Sequence, residues 1–357
     1  MTRWRHAAAA LAFAAGAIIP AALAAADARS GATTSASGAG RDALRNPAPA
    51  PSPALESWRR IDAQPGGAGG WYFSHATVLR TTGQIWHAWG GKTYLYDAKA
   101  NVWQPIAGSI GSRENFGSDD DPTNGVVWVG PGAPVMPGQD GLLRYDLTSG
   151  SYVLTGPVNG ADAVYAWHND TLYTFGGYNP APAAQALRSK TTTPDGPWQL
   201  RNPAGDAPQL TEETARLTIL RGGVNSRTGE LWVVGDGQEL YVWEPMENRW
   251  YRIPTTGPKP PAHSVFTLDE SRNAIVGWAG YDQTVDPGTT VLAQTSILDL
   301  GTHVWRVGPV GIRGPALAVM VKYIPLYDRV KHRVLLLVSR TDHTEVWEFG
   351  DGSLQAR

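Results

Sequence analysis

Three arginines stand at matching places in alternate copies of a repeated unit: Arg113 in GSREN, Arg216 in TARL and Arg313 in GIRG. A guanidinium is a planar fork of donors that pairs with a carboxylate through two hydrogen bonds. Three of them around one opening are expected to clamp an acidic ligand, with a uronic or sialic acid as the natural class. The intervening copies place His75, Asp162 and His263 at the same point. Glu114 and Glu213 lie near the first two arginines, so Glu114 or Glu213 with His75 or His263 would supply an acid and a base if the site were catalytic. The structural alternative is that such arginines and histidines brace neighbouring loops. The matching positions of His75 in SHATV and His263 in AHSVF favour bracing for the histidines. Trp71, next to Tyr72, offers a platform for a sugar ring, and Tyr178 and Tyr281 lead long loops that would rim the opening.

Other chemistry is thinner. Ser118–Asn124 reads SDDDPTN, three carboxylates and an amide in a presumptive turn. Hard cations want several oxygens, but adjacent aspartates diverge and no EF-hand spacing follows, so no metal is expected. No GxSxG elbow, HExxH helix, phosphate loop or dinucleotide fingerprint occurs, and no cofactor is expected.

The elements that must position these residues repeat. Six apolar runs end in small or turn residues: Ile85–Gly91, Val126–Gly132, Leu172–Tyr178, Leu231–Gly237, Ala274–Gly280 and Val334–Arg340. Each reads as the second strand of a unit. Third strands follow as TYLYD, LLRYD, AQALRS, LYVWE, SILDL and EVWEF. Fourth strands open on Trp103, Tyr152, Trp198, Trp250 and Trp305, spaced 49, 46, 52 and 55 residues apart. First strands are expected at HATVL, ENFGS, AVYAW, RLTIL, HSVFT and ALAVM. The sixth unit lacks a fourth strand after Phe349, while Ser57–Ile61 (SWRRI) matches NRWYRI of the fourth unit with no unit before it. The two irregularities cancel if an N-terminal strand completes the last blade of a closed ring. The expected fold is therefore all-β, a six-bladed β-propeller over 55–357.

The Leu172–Gly177 run (LYTFGG), the Gly90–Gly91 pair, Tyr96–Asp97, Tyr145–Asp146 and the spaced tryptophans resemble the kelch family of β-propellers. The resemblance spans Leu55 to Gly352. It implies that glycine pairs and fourth-strand aromatics are structural and that ligands meet the loop face. Only two units carry the Gly–Gly pair, which leaves the subfamily open. The repeat style is similar to that of galactose oxidase, whose radical copper centre needs a tyrosine crosslinked to cysteine. This chain has no cysteine. Thr193–Trp198 (TPDGPW) faintly resembles the Asp-box turn of sialidases.

Composition agrees with many short strands: Trp 15, Gly 41, Pro 27 and only 17% charged residues in 357. Net charge is −2, with no basic run for nucleic acid. Residues 1–24 read as a signal peptide, with Arg3 and Arg5 before an apolar stretch and a small-x-small site at Ala22–Ala24. Residues 25–54, rich in Ala, Gly, Ser and Pro, read as a disordered spacer. The mature chain is expected to be a secreted or periplasmic monomer without a membrane span. Its expected role is a carbohydrate- or protein-binding module working through its loop face. The alternative is a sugar-processing enzyme that interconverts anomers or epimers of an acidic sugar, or hydrolyses it.

Overall fold

A computed structural model describes residues 56–62, 75–89, 92–108, 116–132, 141–157, 163–177, 186–211, 220–261, 264–278, 294–308, 322–340 and 342–351. The signal-peptide and spacer readings of 1–54 fall outside them. The regular structure consists of six small antiparallel sheets arranged as a six-bladed β-propeller.

Blade 1 runs His75–Val78, Ile85–Trp89, Lys92–Asp97 and Val102–Ile106. Blades 2, 3 and 5 have the same up-and-down order, starting at Ser118, Ala163 and Val265. Blade 4 starts at Gly222 and gains a short parallel strand, Ala204–Gly205, on its outer edge. Blade 6 takes Lys322–Asp328, Arg333–Ser339 and Thr344–Asp351 from the C-terminal end of the chain. Its fourth strand is Glu56–Arg60, antiparallel to the third from Glu56↔Asp351 to Arg60↔Trp347. The first strands touch in a cycle, each meeting the one before and the one after, with blade 6 against blade 1. That cycle is the wall of the central channel.

Blades are held to one another by an aromatic at the start of the fourth strand. In register it faces a third-strand residue: Tyr96↔Trp103, Trp243↔Trp250, Leu298↔Trp305 and Phe349↔Trp58. Trp250, Trp305 and Trp58 pack on the preceding blade, while the Trp103 ring lies against Tyr96 and His87 of its own blade. Trp250 lies 5.0 Å from the Phe175 ring of blade 3. Trp305 is buried among blade 4 residues and donates from Nε1 to the Gln238 carbonyl at 3.2 Å. Trp58 sits 5.5 Å from Trp278 of blade 5 and donates to Thr295 Oγ1 at 2.9 Å. Blade 2 departs from this pattern. Tyr152 occupies the position but is 50% exposed. Its cross-strand partner Tyr145 does the packing instead, fully buried 5.8 Å from Trp86 of blade 1, with its hydroxyl donating to the Ala107 carbonyl.

The Tyr–Asp pairs prove to be turn signals. Asp97, Asp146 and Asp299 each accept at Oδ1 from the backbone N–H groups two and three residues on. Asn101, Gly150 and His303 then close the turn at positive φ. Asp269 and Asp328 cap the turns between first and second strands in the same way.

Trp58→Ala removes a buried aromatic from the closing strand and should cost about 3–5 kcal/mol. Tyr152→Ala, at the same repeat position, should cost less than about 1 kcal/mol. Urea denaturation of the two variants measures the contrast, and equal losses would contradict the packing described.

Candidate functional site: the central channel

The first strands enclose a cavity of about 110 Å³ whose wall includes His75, Ser118, Thr77, Asp119, Thr267 and Arg329. Its two ends differ in charge.

At the end where first strands enter, His75 is buried with Nδ1 2.9 Å from Ser118 Oγ and its ring 5.6 Å from Phe116. His87, on the opposite face of the same blade, is fully buried, and neither ring nitrogen finds a hydrogen-bond partner among the described residues. Lys322 opens the first strand of blade 6 and is buried. Burial, with the Lys322 ammonium adding to it, pushes the His87 imidazole down to about 3. Burial, then Lys322 and His87, holds His75 well below the usual histidine range. Both are neutral at pH 7. Arg221 precedes the first strand of blade 4. Its Nε and Nη2 donate to the carbonyls of Val234 and Gly235 at 3.1 and 2.9 Å, and its guanidinium lies 5.2 Å from the Phe266 ring centre.

At the opposite, exit end the carboxylates gather. Arg80, two residues past the first strand of blade 1, pairs with Asp119 Oδ2 at 2.6 Å and with Asp120, and reaches the Trp167 carbonyl of blade 3 at 3.2 Å. Arg329 of blade 6 meets Glu270 of blade 5 at 3.3 Å and the Val224 carbonyl of blade 4 at 3.4 Å. Glu270 also accepts from Ser226 N and Oγ at 2.9 and 2.6 Å. All six blades therefore contribute to one buried polar layer. Burial raises the Asp120 carboxyl to about 6, with Asp119 adding to the rise and Arg80 opposing it. Burial pulls the Arg80 guanidinium down, but the two carboxylates outweigh it and hold it above its ordinary value.

Of the residues expected at the site, His75 is placed at the channel entry. Arg113, Glu114, Glu213, Arg216, His263, Arg313, Trp71, Tyr178 and Tyr281 lie outside the described residues. The strand register that grouped them needs correction in three blades. Those first strands start at Ser118, the last residue of ENFGS, and at Gly222 and Lys322, past RLTIL and ALAVM. The turn expected at Ser118–Asn124 is a strand through Asp121, and its aspartates bind Arg80 and cap their own turn. Register also makes Val265, not His263, the equivalent of His75, and Arg221 the equivalent in blade 4. The third strand of blade 3, Arg188–Thr191, begins inside the expected AQALRS and shares its last two residues. Lys322 and Arg221 were missed because strand starts were read from apolar runs. The available signal was the turn-capping residue that follows each: Asn225 four residues after Arg221 and Asp328 six after Lys322. Among the described residues no group of three metal-ligating side chains occurs, and no helix is long and apolar enough to cross a membrane.

No protein-family model matches the chain.

The buried ionisable groups oppose each other in their pH effects. Between pH 6 and 4 the unfolded chain protonates both histidines, while His87, pushed down to about 3, stays neutral in the fold and His75 is held below its ordinary range. His87 therefore removes up to about 1.4 kcal/mol of stability per pH unit as pH falls, and His75 acts in the same direction. Asp120 takes its proton in the fold below about pH 6, and in the unfolded chain only near its ordinary, lower value. It returns stability over the same window. His87→Leu should flatten the acid loss of stability and Asp120→Asn should steepen it. Urea denaturation at pH 4, 5 and 6 tests this, and unaltered slopes in both variants would refute it.

Proposed function

We propose that the protein is an exported kelch-like propeller that acts as a carbohydrate-binding module and takes an acidic sugar at the entry end of its channel. The observation that carries this reading is the polarity of the channel. Among the described residues, the carboxylates that line or floor it, Asp119, Asp120 and Glu270, all sit at the exit. At the entry end His75 bonds Ser118 and feels the buried Lys322 ammonium, while Arg221 stands just before the first strand of blade 4 with its guanidinium on the Val234 and Gly235 carbonyls. Buried cations in a low-dielectric wall attract a carboxylate more strongly than surface cations do. The neutral His75–Ser118 pair and the wall hydroxyls of Thr77 and Thr267 suit sugar hydroxyls, which need donors and acceptors together. The exit is crossed by ion pairs from blade to blade, so the entry end is the natural approach for a bulky ligand. Export rests on the N-terminal signal-like segment alone.

Thermal denaturation with galacturonate, N-acetylneuraminate and neutral galactose tests the proposal. At one hundred times Kd an acidic sugar should add about 2.7 kcal/mol, raising Tm by about 5 °C. Galactose should add nothing. Lys322→Met should weaken the acidic sugar about tenfold, equal to about 1.4 kcal/mol. Equal responses to acidic and neutral sugars, or none to either, would overturn the reading.

A further inference from the structure

The exit end holds two guanidiniums at equivalent positions, two residues beyond the first-strand level of Val78 in blade 1 and of Tyr327 in blade 6, and they are used differently. Arg80 is saturated. It binds Asp119, Asp120 and the Trp167 carbonyl, and its guanidinium carbon lies 5.3 Å from the Trp167 ring centre. Among the described residues, Arg329 is held by its Nε on Glu270 at 3.3 Å and its Nη2 on the Val224 carbonyl at 3.4 Å. Its Nη1 has no partner among the described residues. The side chain is 23% exposed and lines the channel cavity. His168 of blade 3, half-buried at the same level, is close enough to both arginines for each to disfavour its charged form, after burial itself.

We propose that the exit end of the channel binds a small carboxylate, received by the open edge of Arg329 with His168 beside it. A partly buried guanidinium carries a desolvation cost that Glu270 reduces and that a further acceptor at Nη1 would reduce more. Repulsion between Arg329 and Arg80 adds to that cost, and an anion beside them relieves it. Nη1, with the second hydrogen of Nη2 beside it, offers donors of the kind a carboxylate accepts. A cavity of about 110 Å³ admits an ion of that size.

The charged and titratable groups facing the site come from five blades: Arg80, Asp119 with Asp120, His168, Glu270 and Arg329. Blade 4 supplies only the Val224 carbonyl and Ser226. With all three carboxylates ionised these groups carry one net negative charge. With Asp120 protonated they are neutral. Carboxylate binding should therefore tighten as pH falls through about 6. Because it uses exit-end residues alone, this site stands or falls separately from the acidic-sugar reading at the entry.

The test is an acetate titration of the whole protein, followed by thermal denaturation, against sodium chloride at equal ionic strength, at pH 5.5 and 7.5. Acetate should give a saturable rise in Tm of about 1–3 °C beyond chloride, reached at lower acetate concentration at pH 5.5. Arg329→Gln should abolish it, and His168→Gln should weaken acetate at least about fivefold. Lys322→Met, at the other end of the channel, should leave it unchanged. An equal rise in chloride, or an acetate response that survives Arg329→Gln, overturns the proposal. If Arg329→Gln does not fold, a His168→Gln protein that binds acetate like the parent overturns it.

Discussion

A four-stranded sheet has two apolar faces and cannot bury either by itself. Every blade here depends on a neighbour at each side, and six such blades satisfy that demand only by closing on themselves. The pairing of Glu56–Arg60 with Thr344–Asp351 is what closes the circle. It supplies the outer strand of blade 6 and the Trp58 side chain that packs on blade 5. The channel exists because the circle is closed, and the polarity of its two ends exists because the first strands enter it in parallel.

The same constraint separates structural from functional chemistry. Structural contacts recur at fixed register positions: a fourth-strand tryptophan on the previous blade in blades 4, 5 and 6, and within blades an aspartate capping many of the turns. Residues that break the recurrence are the informative ones. Arg80, Ser226, Glu270 and Arg329 share one repeat position yet differ in charge from blade to blade, as a structural motif would not. His87 is likewise singular, a buried imidazole with no hydrogen-bond partner among the described residues.

Much of this fold was legible in the sequence because tryptophans and turn-capping aspartates recur at a near-constant interval. The completion of blade 6 by SWRRI was readable for the same reason. First strands were not, in three blades. Ser118–Asp121 is a strand made almost wholly of aspartate, a residue depleted in strands. It is held by Arg80 from the neighbouring blade, a contact between distant parts of the chain that no local pattern shows. Gly222–Val224 has little side chain to read, and Lys322–Asp328 contains Pro325. In each case tertiary packing overrode local preference. The error moved the expected channel entrance to Arg216 and Arg313, while Arg221 and Lys322 stand nearer the strand starts.

The closing pair has a mechanical consequence. Glu56 lies directly opposite Asp351, so the first and last strands of the propeller present their free ends side by side. A tether joined before Glu56 and a tether joined after Asp351 would pull on the same seam, and tension between them would unzip the circle one hydrogen bond at a time. Joining those ends covalently would remove the seam and let the chain be reopened in any turn between blades. The molecule is in that sense a circle cut at one place, and the location of the cut, not the number of blades, sets how it yields under load.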